Sequence, residues 1–237
     1  MELVVAPVAE LRSQIAHEFE QLVAGTLDRG AGFSDEPHRV TCGLTGGSTA
    51  IIFLAALREA DVDWSRVTLF WGDERAVPSD STESNYGLAN EMLLTPLGAK
   101  APRAVRMRAE QTNIEVAARE YEAALPPALD ILILGVGEDG HVCSLFPAHK
   151  ALAVEDARVT AIEDSPKPPR RRLTLTMSYI LRARQTWLVA VGERKRRLLQ
   201  NAIARNAVAT PLDLVVAQAR ALTLFTDQVL RTGFAGR

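Results

Sequence analysis

Ile131-Leu132-Ile133-Leu134-Gly135-Val136 runs without a break into Gly137-Glu138-Asp139-Gly140-His141. The first part is apolar at every position. A strand with one wet face would alternate, so an unbroken apolar run predicts a central parallel strand covered by helices on both sides. The second part is a glycine-rich turn that ends on a histidine. In an open α/β sheet the carboxyl ends of the strands are where ligands bind.

The flanks repeat the pattern. Leu3-Val4-Val5 reads as a strand, and Leu11, Ile15, Phe19, Leu22 and Val23 give the next segment one apolar helical face. Turn residues from Gly30 to Glu36 end it. Val40-Thr41-Cys42-Gly43-Leu44 is a strand entering Thr45-Gly46-Gly47-Ser48-Thr49, and an apolar helix from Ile51 follows, with Ser48 or Thr49 as its N-cap. Val67 to Trp71 is a buried strand running into Asp73-Glu74-Arg75. A helix is predicted near Tyr86 to Leu94, a strand near Ala104 to Met107, and a helix capped by Asn113 and stopped by Pro126-Pro127.

Beyond His141 the predicted strands are Val159 to Ile162, Arg172 to Thr176, Thr186 to Val191 and Ala221 to Phe225. Arg172-Leu173-Thr174-Leu175-Thr176 alternates with period two and is read as a strand with two unlike faces. Ser165-Pro166-Lys167-Pro168-Pro169 is a stiff loop. Gly192 opens a helix whose Leu198, Leu199, Ala202 and Ile203 share a face. Alternation this regular predicts an α/β fold: a doubly wound, mostly parallel sheet with helices on both faces. No composition shift divides residues 1–237, so a single α/β domain is expected.

Composition narrows the function. Of 237 residues 47% are hydrophobic, enough for a substantial core, and the formal charge is −2. With a pI near 6.1 this speaks against a general nucleic-acid binder. Two cysteines, Cys42 and Cys143, make no disulfide framework. No basic-then-apolar leader and no membrane-length apolar run is visible. A cytoplasmic protein is expected, with no membrane association and no obligate protein partner.

Chemistry concentrates at strand ends. Gly46 and Gly47 let the backbone approach an anion, Ser48 and Thr49 add hydroxyl donors, and the following helix offers its N-terminus. Without Gly-Lys-Ser/Thr this is no Walker loop, and a tight turn capped by Ser48 is the alternative. Asp73 and Arg75 end another strand. They are either solvated loop charges or a cation with a carboxylate that orients a substrate hydroxyl or holds Arg75 in place. Lys195 sits in a helical first turn beside Arg194, Arg196 and Arg197, where cations oppose the dipole unless an anion binds. Among these Lys195 is the candidate, the others being an exposed basic face. His17 and His38 read as surface residues and His149 as a loop residue. His141, by its position, is the candidate proton carrier. A Gly-x-Ser-x-Gly elbow is missing, Cys143 reads as a buried thiol, and no spacing suits a metal. Gly135 to Gly140 matches Gly-x-Gly-x-x-Gly, but no helix follows to make a dinucleotide site.

Taken together, Leu44-Thr45-Gly46-Gly47-Ser48-Thr49, Phe70-Trp71-Gly72-Asp73-Glu74-Arg75, Ser84-Asn85-Tyr86, Gly135 to Pro147, Ser165 to Pro169 with Arg172 to Thr176, and Gly192 with Lys195 resemble the glucosamine-6-phosphate isomerase/6-phosphogluconolactonase family, in order and over nearly the whole chain. The resemblance implies a fold akin to glucosamine-6-phosphate deaminase. It also implies hydrolysis of a phosphosugar lactone, 6-phosphogluconolactone, in the oxidative pentose phosphate pathway, without metal or organic cofactor. By the same pattern Gly46, Gly47, Ser48, Thr49, Arg75, Arg172 and Lys195 would contact phosphate and substrate. His141 would be the base and Asp73 its polar neighbour, with oxyanion donors sought in the backbone before His141. Ala50, where the family often has proline, and Val142-Cys143, where Thr-Ala is frequent, depart from it. The rival readings are an isomerase or deaminase of the same fold, and a sugar-phosphate sensor, for whose helix-turn-helix there is no spare length.

Overall fold

The computed structural model describes residues 1–30, 39–204 and 210–230. The turn expected after Gly30 and the histidine at position 38 lie outside these. Strand β1 (Glu2–Val5) leads into α1 (Val8–Gly30), β2 (Val40–Leu44) into α2 (Ala50–Glu59), and β3 (Val67–Trp71) into the short β4 (Asp73–Arg75). Helix α3 (Asn85–Ala89) passes through a π turn (Asn90–Leu94) into α4 (Thr95–Leu97), so the helix expected near Tyr86 to Leu94 is there but is under-wound in the middle. Then come β5 (Arg103–Ala104), α5 (Ile114–Ala124), β6 (Ile131–Leu134), β7 (Val159–Ile162), β8 (Arg172–Leu175), α6 (Met177–Ile180), β9 (Gln185–Val189), α7 (Glu193–Ala204), α8 (Pro211–Gln218) and β10 (Leu222–Thr226).

Seven strands form one sheet in the order β1-β10-β9-β6-β2-β3-β5, and every pair in it is parallel. The expected central strand, β6, has all four side chains fully buried. From the β2–β6 boundary the chain winds one way through β3 and β5 and the other way through β9 and β10. The loops that follow β2 and β6 therefore leave adjacent strands at the reversal point, where such sheets open a crevice.

Packing explains the elements. Leu11, Ile15 and Phe19 on α1 are wholly buried. Each such side chain contributes about 1.5–3 kcal/mol on removal from water. Phe19 stacks on Trp64 at 5.6 Å and meets the edge of Trp187 at 6.4 Å, tying α1 to the sheet. Gly43 in β2 is packed so closely that an added Cβ would lie 2.7 Å from Leu132 Cδ1.

A second, three-stranded antiparallel sheet, β4-β8-β7, stands beyond the ends of the large one. Arg172 to Thr176, read as a strand with two unlike faces, contains β8, whose polar and apolar faces are both buried. Its polar side chains, Arg172 and Thr174, turn to an enclosed polar interior rather than to bulk water. No helix of the described residues is long and apolar enough to cross a membrane.

Candidate active site

Loops from the large sheet and strands of the small one enclose a cavity of about 280 Å3. Every residue singled out in the sequence lines it: Gly46 to Thr49, Asp73, Arg75, His141, Arg172 and Lys195. Asn85, Gly137, Cys143 and Lys167 join them.

The glycine loop is bound to its neighbour. Thr45 Oγ1 donates to Ile133 O (3.1 Å) and accepts from Gly135 N (3.0 Å), so one hydroxyl fastens the loop after β2 to the loop after β6. Gly47 has φ +86°, which a side chain would strain. A Cβ on Gly46 would lie 1.8 Å from Asn85 Oδ1, so the loop and Asn85 fit only without it. Thr49 holds the N-cap position of α2, yet its side chain makes no capping bond. Its Oγ1 instead accepts from Lys195 Nζ at 2.9 Å. Ala50 N donates to Gly47 O at 3.0 Å, a bond that a proline at this position would lack.

Lys195 is buried in the first turn of α7, while Arg194, Arg196 and Arg197 are exposed. Burial pulls its ammonium below the ordinary value, against the charges of Glu138 and Asp227. A single hydroxyl partner leaves N–H donors of Nζ for a ligand.

The turn after β6 shapes the histidine. Gly137 N donates to His141 O (2.9 Å) and Gly140 N to Gly137 O (3.0 Å). Two of the backbone donors expected for an oxyanion are thus engaged inside the turn. The imidazole lies over Gly137, where a Cβ would come within 2.0 Å of its Cε1. Gly140, at φ +81°, abuts Thr210, the cap of α8. His141 Nδ1 lies 2.5 Å from Asp139 Oδ1, and Lys167 Nζ is 3.0 Å from Asp139 Oδ2 and 3.4 Å from the same ring nitrogen. Burial holds the imidazole below its ordinary value, against the hydrogen bond and charge of Asp139. Burial opposes ionisation of Asp139 as well, but its bonds to His141 and Lys167 prevail and hold it at about 2. His141 is therefore largely neutral near pH 7. With Nδ1–H directed at a carboxylate, Nε2 carries the lone pair.

The small sheet supplies the opposite wall. Asp73, buried, accepts from Ser144 Oγ (2.7 Å) and Asn85 Nδ2 (3.0 Å) and does not hold Arg75. Arg75 Nη1 donates to Glu83 O at 2.6 Å, and its Nε is buried without a partner among the described residues. Arg172 faces Arg75 directly across β4 and β8. Its Nε donates to Pro169 O, Nη2 to Lys167 O and Pro168 O, and Nη1 to Ser144 Oγ. It clamps the proline loop as well as lining the cavity. Burial lowers its pKa, Asp73 opposes this, and Arg75 adds to it. Like charges directly opposite on paired strands repel, and an anion between them would relieve this.

Asp139, Lys167 and Asn85 were not singled out for a role in the sequence. The signal was present for Lys167, the lone charge inside a proline-rich loop, and for Asp139, two residues before the histidine. Glu74 accepts from Arg75 N, Ser84 Oγ, Asn85 N and Tyr86 N, and so fixes Asn85 against the glycine loop. Burial pushes its carboxyl up against the pull of these donors. Cys143 lines the cavity, but burial and then Asp73 push its thiol up, and it stays protonated. His17 is exposed, and His149 caps a turn and pairs with Asp164 outside the cavity lining. No His, Cys, Asp and Glu among the described residues cluster so as to hold a metal.

Residues 9–224 match the family model described as glucosamine-6-phosphate isomerases/6-phosphogluconolactonase. The 6-phosphogluconolactonase of Rattus norvegicus is 35% identical over 232 residues, covering 92% of this chain and 88% of its own. That of Mycobacterium tuberculosis is 38% identical over 175 residues, covering 68% and 71%. Among solved structures, a 6-phosphogluconolactonase from Shewanella baltica superposes with a TM-score of 0.83 at 27% identity, over 95% of this chain and 97% of that one. A monomeric glucosamine-6-phosphate deaminase, at TM-score 0.76 and 17% identity, covers 95% and 97% and shares the fold.

Proposed function

The chain belongs to the glucosamine-6-phosphate isomerase/6-phosphogluconolactonase family, and on that footing we propose that it hydrolyses 6-phosphogluconolactone to 6-phosphogluconate. The observation that carries this reading is the placement of a carboxylate-oriented histidine and a buried lysine in one cavity, each on a different strand end of the same sheet.

In this reading the phosphate settles against Gly46, Gly47, Ser48 and Thr49. Lys195 donates from below, and the cross-strand pair Arg75 and Arg172 flanks it. The unpartnered Arg75 Nε is a donor that a phosphate oxygen would satisfy. Docking at this end fixes the lactone ring at the other and turns attack by water into an oriented event. His141 Nε2 takes a proton from water as the oxygen bonds to the ring carbonyl. Asp139 bonds Nδ1–H and stabilises the imidazolium, and the nearby charge of Asp73 favours the same form. The negative charge growing on the carbonyl oxygen meets the positive field of Lys167, beside the imidazole. The tetrahedral species collapses by expelling the ring oxygen, which recovers the proton from His141. The product is the open-chain acid, and the base is regenerated.

The rival chemistry is deamination of an amino sugar phosphate. The likeness to the deaminase is one of fold, at 17% identity, whereas the relatives at 35% and 38% are lactonases by name. One pair of assays separates them. The purified chain should accelerate 6-phosphogluconolactone hydrolysis well above the spontaneous ring-opening, which must be subtracted. It should release no ammonia from glucosamine 6-phosphate. Ammonia release without lactone hydrolysis would reverse the assignment.

A further inference from the structure

Asn85 lines the substrate cavity, but the next residue, Tyr86, lines a second and larger one of about 480 Å3. It lies at the edge of the large sheet, where β5 is the last strand. Arg103 comes from β5 itself, and Arg106 and Arg108 from the chain just after it. Tyr121 and Glu120 on α5 form the facing wall.

The charge around this space is lopsided. Arg106 is paired with Glu110 at 2.7 Å, and Glu120 is engaged by Gln111 at 2.9 Å. The ion pairs among the described residues include neither Arg103 nor Arg108, and both side chains are exposed. Guanidinium groups around one concavity repel each other, and the low-dielectric wall behind them focuses their field outward. In a chain of net charge −2 this concentration of arginine is a local feature and not a consequence of overall basicity.

The aromatic groups narrow the ligand. Tyr86 packs on Trp71 (5.3 Å) and lies under the Arg106 guanidinium (5.6 Å). Tyr121 packs edge-on to Phe70 (6.4 Å) and bonds the backbone of Trp71 through its hydroxyl. Both rings are committed to the protein, so recognition here is by charge and not by stacking on a flat base. Arginine forks match the planar spread of phosphate oxygens. A cavity larger than the about 280 Å3 of the substrate site has room for more than a single phosphate.

We propose that this cavity is a second anion site, which binds small molecules carrying two or more adjacent phosphate groups. The test uses the full chain labelled for amide NMR, titrated with inorganic pyrophosphate. Saturable shifts are expected at Ala104 to Arg108 and at Ala117 and Glu120. The double change Arg103→Ala with Arg108→Ala should weaken binding read at those amides by roughly tenfold or more, since charge-assisted contacts are lost. Both arginines are exposed, and the same spectra report whether the fold persists. Lys195→Ala should leave these shifts in place, whatever it does at the glycine loop. Shifts confined to residues 46–49, an unchanged affinity in the double variant, or loss of the Ala104 to Arg108 shifts in Lys195→Ala would each overturn the proposal.

Discussion

The two walls of the substrate cavity treat their polar groups differently. On the wall from the parallel sheet, Lys195 makes one hydrogen bond, to Thr49, and His141 makes contact through Nδ1 with Asp139 and Lys167. On the wall from the antiparallel sheet, Asp73, Glu74 and Arg172 are bonded on several sides, to Asn85, Ser144, Tyr86 and the carbonyls of the proline loop. Loops that leave parallel strands end in turns, and a turn presents a side chain without surrounding it. The small antiparallel sheet is covered by the segments packed on it, so that Asp73, Glu74 and Arg172 are all buried. The first wall is fitted to exchange protons and to hold the phosphate through Lys195, and the second keeps the cavity in shape and sets the cations of Arg75 and Arg172 beside the phosphate. Changes on the first should therefore alter rate or affinity and spare stability, and changes on the second should alter stability as well.

The sharpest way to break this division is His141→Ala. If the parallel wall carries the chemistry, kcat should fall by roughly 10²–10⁴, the range for loss of a positioned base, with little change in affinity for 6-phosphogluconate and an unchanged melting midpoint. Stopped assays with background subtraction and a thermal melt read both. Full turnover in this variant removes His141 from the mechanism. Lys195→Ala comes next. It should raise KM by roughly 10–100-fold through the loss of a charge-assisted contact while kcat changes far less, and calorimetry with 6-phosphogluconate should show the same weakening. A fall in kcat alone would mean that Lys195 acts on the reacting carbonyl and not on the phosphate.

Glu74→Gln probes the other wall. The amide keeps one acceptor but turns an NH2 toward N–H and O–H donors that now meet a carboxylate. The expected cost is about 1–3 kcal/mol of stability for buried donors left unsatisfied, seen in chemical unfolding. KM should rise too, because Asn85 and Arg75 would lose the carboxylate that aligns their backbone. A variant as stable as the parent would show that the antiparallel wall is not the stiffer one.

Much of this was legible in the sequence, for identifiable reasons. Ile131 to Leu134 announced a strand buried on both faces because a run of four apolar residues is compatible with little else beside a glycine turn. The basic first turn of α7 stood out because cations there oppose the helix dipole, and the family resemblance picked Lys195 within it. What stayed hidden depended on contacts between distant segments. Thr49 looked like an ordinary cap because nothing local reveals a lysine 146 positions away bonding its hydroxyl. Arg172 to Leu175 alternates between polar and apolar residues, and only its place in the middle of the small sheet, against the cavity, buries both faces. Asp139 and Lys167 are 28 positions apart and meet only because both loops close on the same imidazole.

Asp139→Asn gives the smallest expected effect and the finest resolution, because it asks how the histidine is tuned and not whether it is needed. In the parent, burial sets His141 below its ordinary value of 6.5 while Asp139 pushes it back up. The base form must be neutral, so kcat/KM should rise with pH through a midpoint below about 6.5 and then level off. Replacing the carboxylate by an amide removes its charge and weakens its hydrogen bond, and leaves burial and Lys167, which act downward, against Asp73 alone. The acid limb should therefore move to lower pH. The plateau should also drop, because a weaker partner at Nδ1 stabilises less of the imidazolium formed at the transition state. If the limb instead moves to higher pH, Asp139 is not what raises the imidazole. If the plateau holds while the limb shifts, the carboxylate tunes the proton affinity of His141 without contributing to the rate at neutral pH.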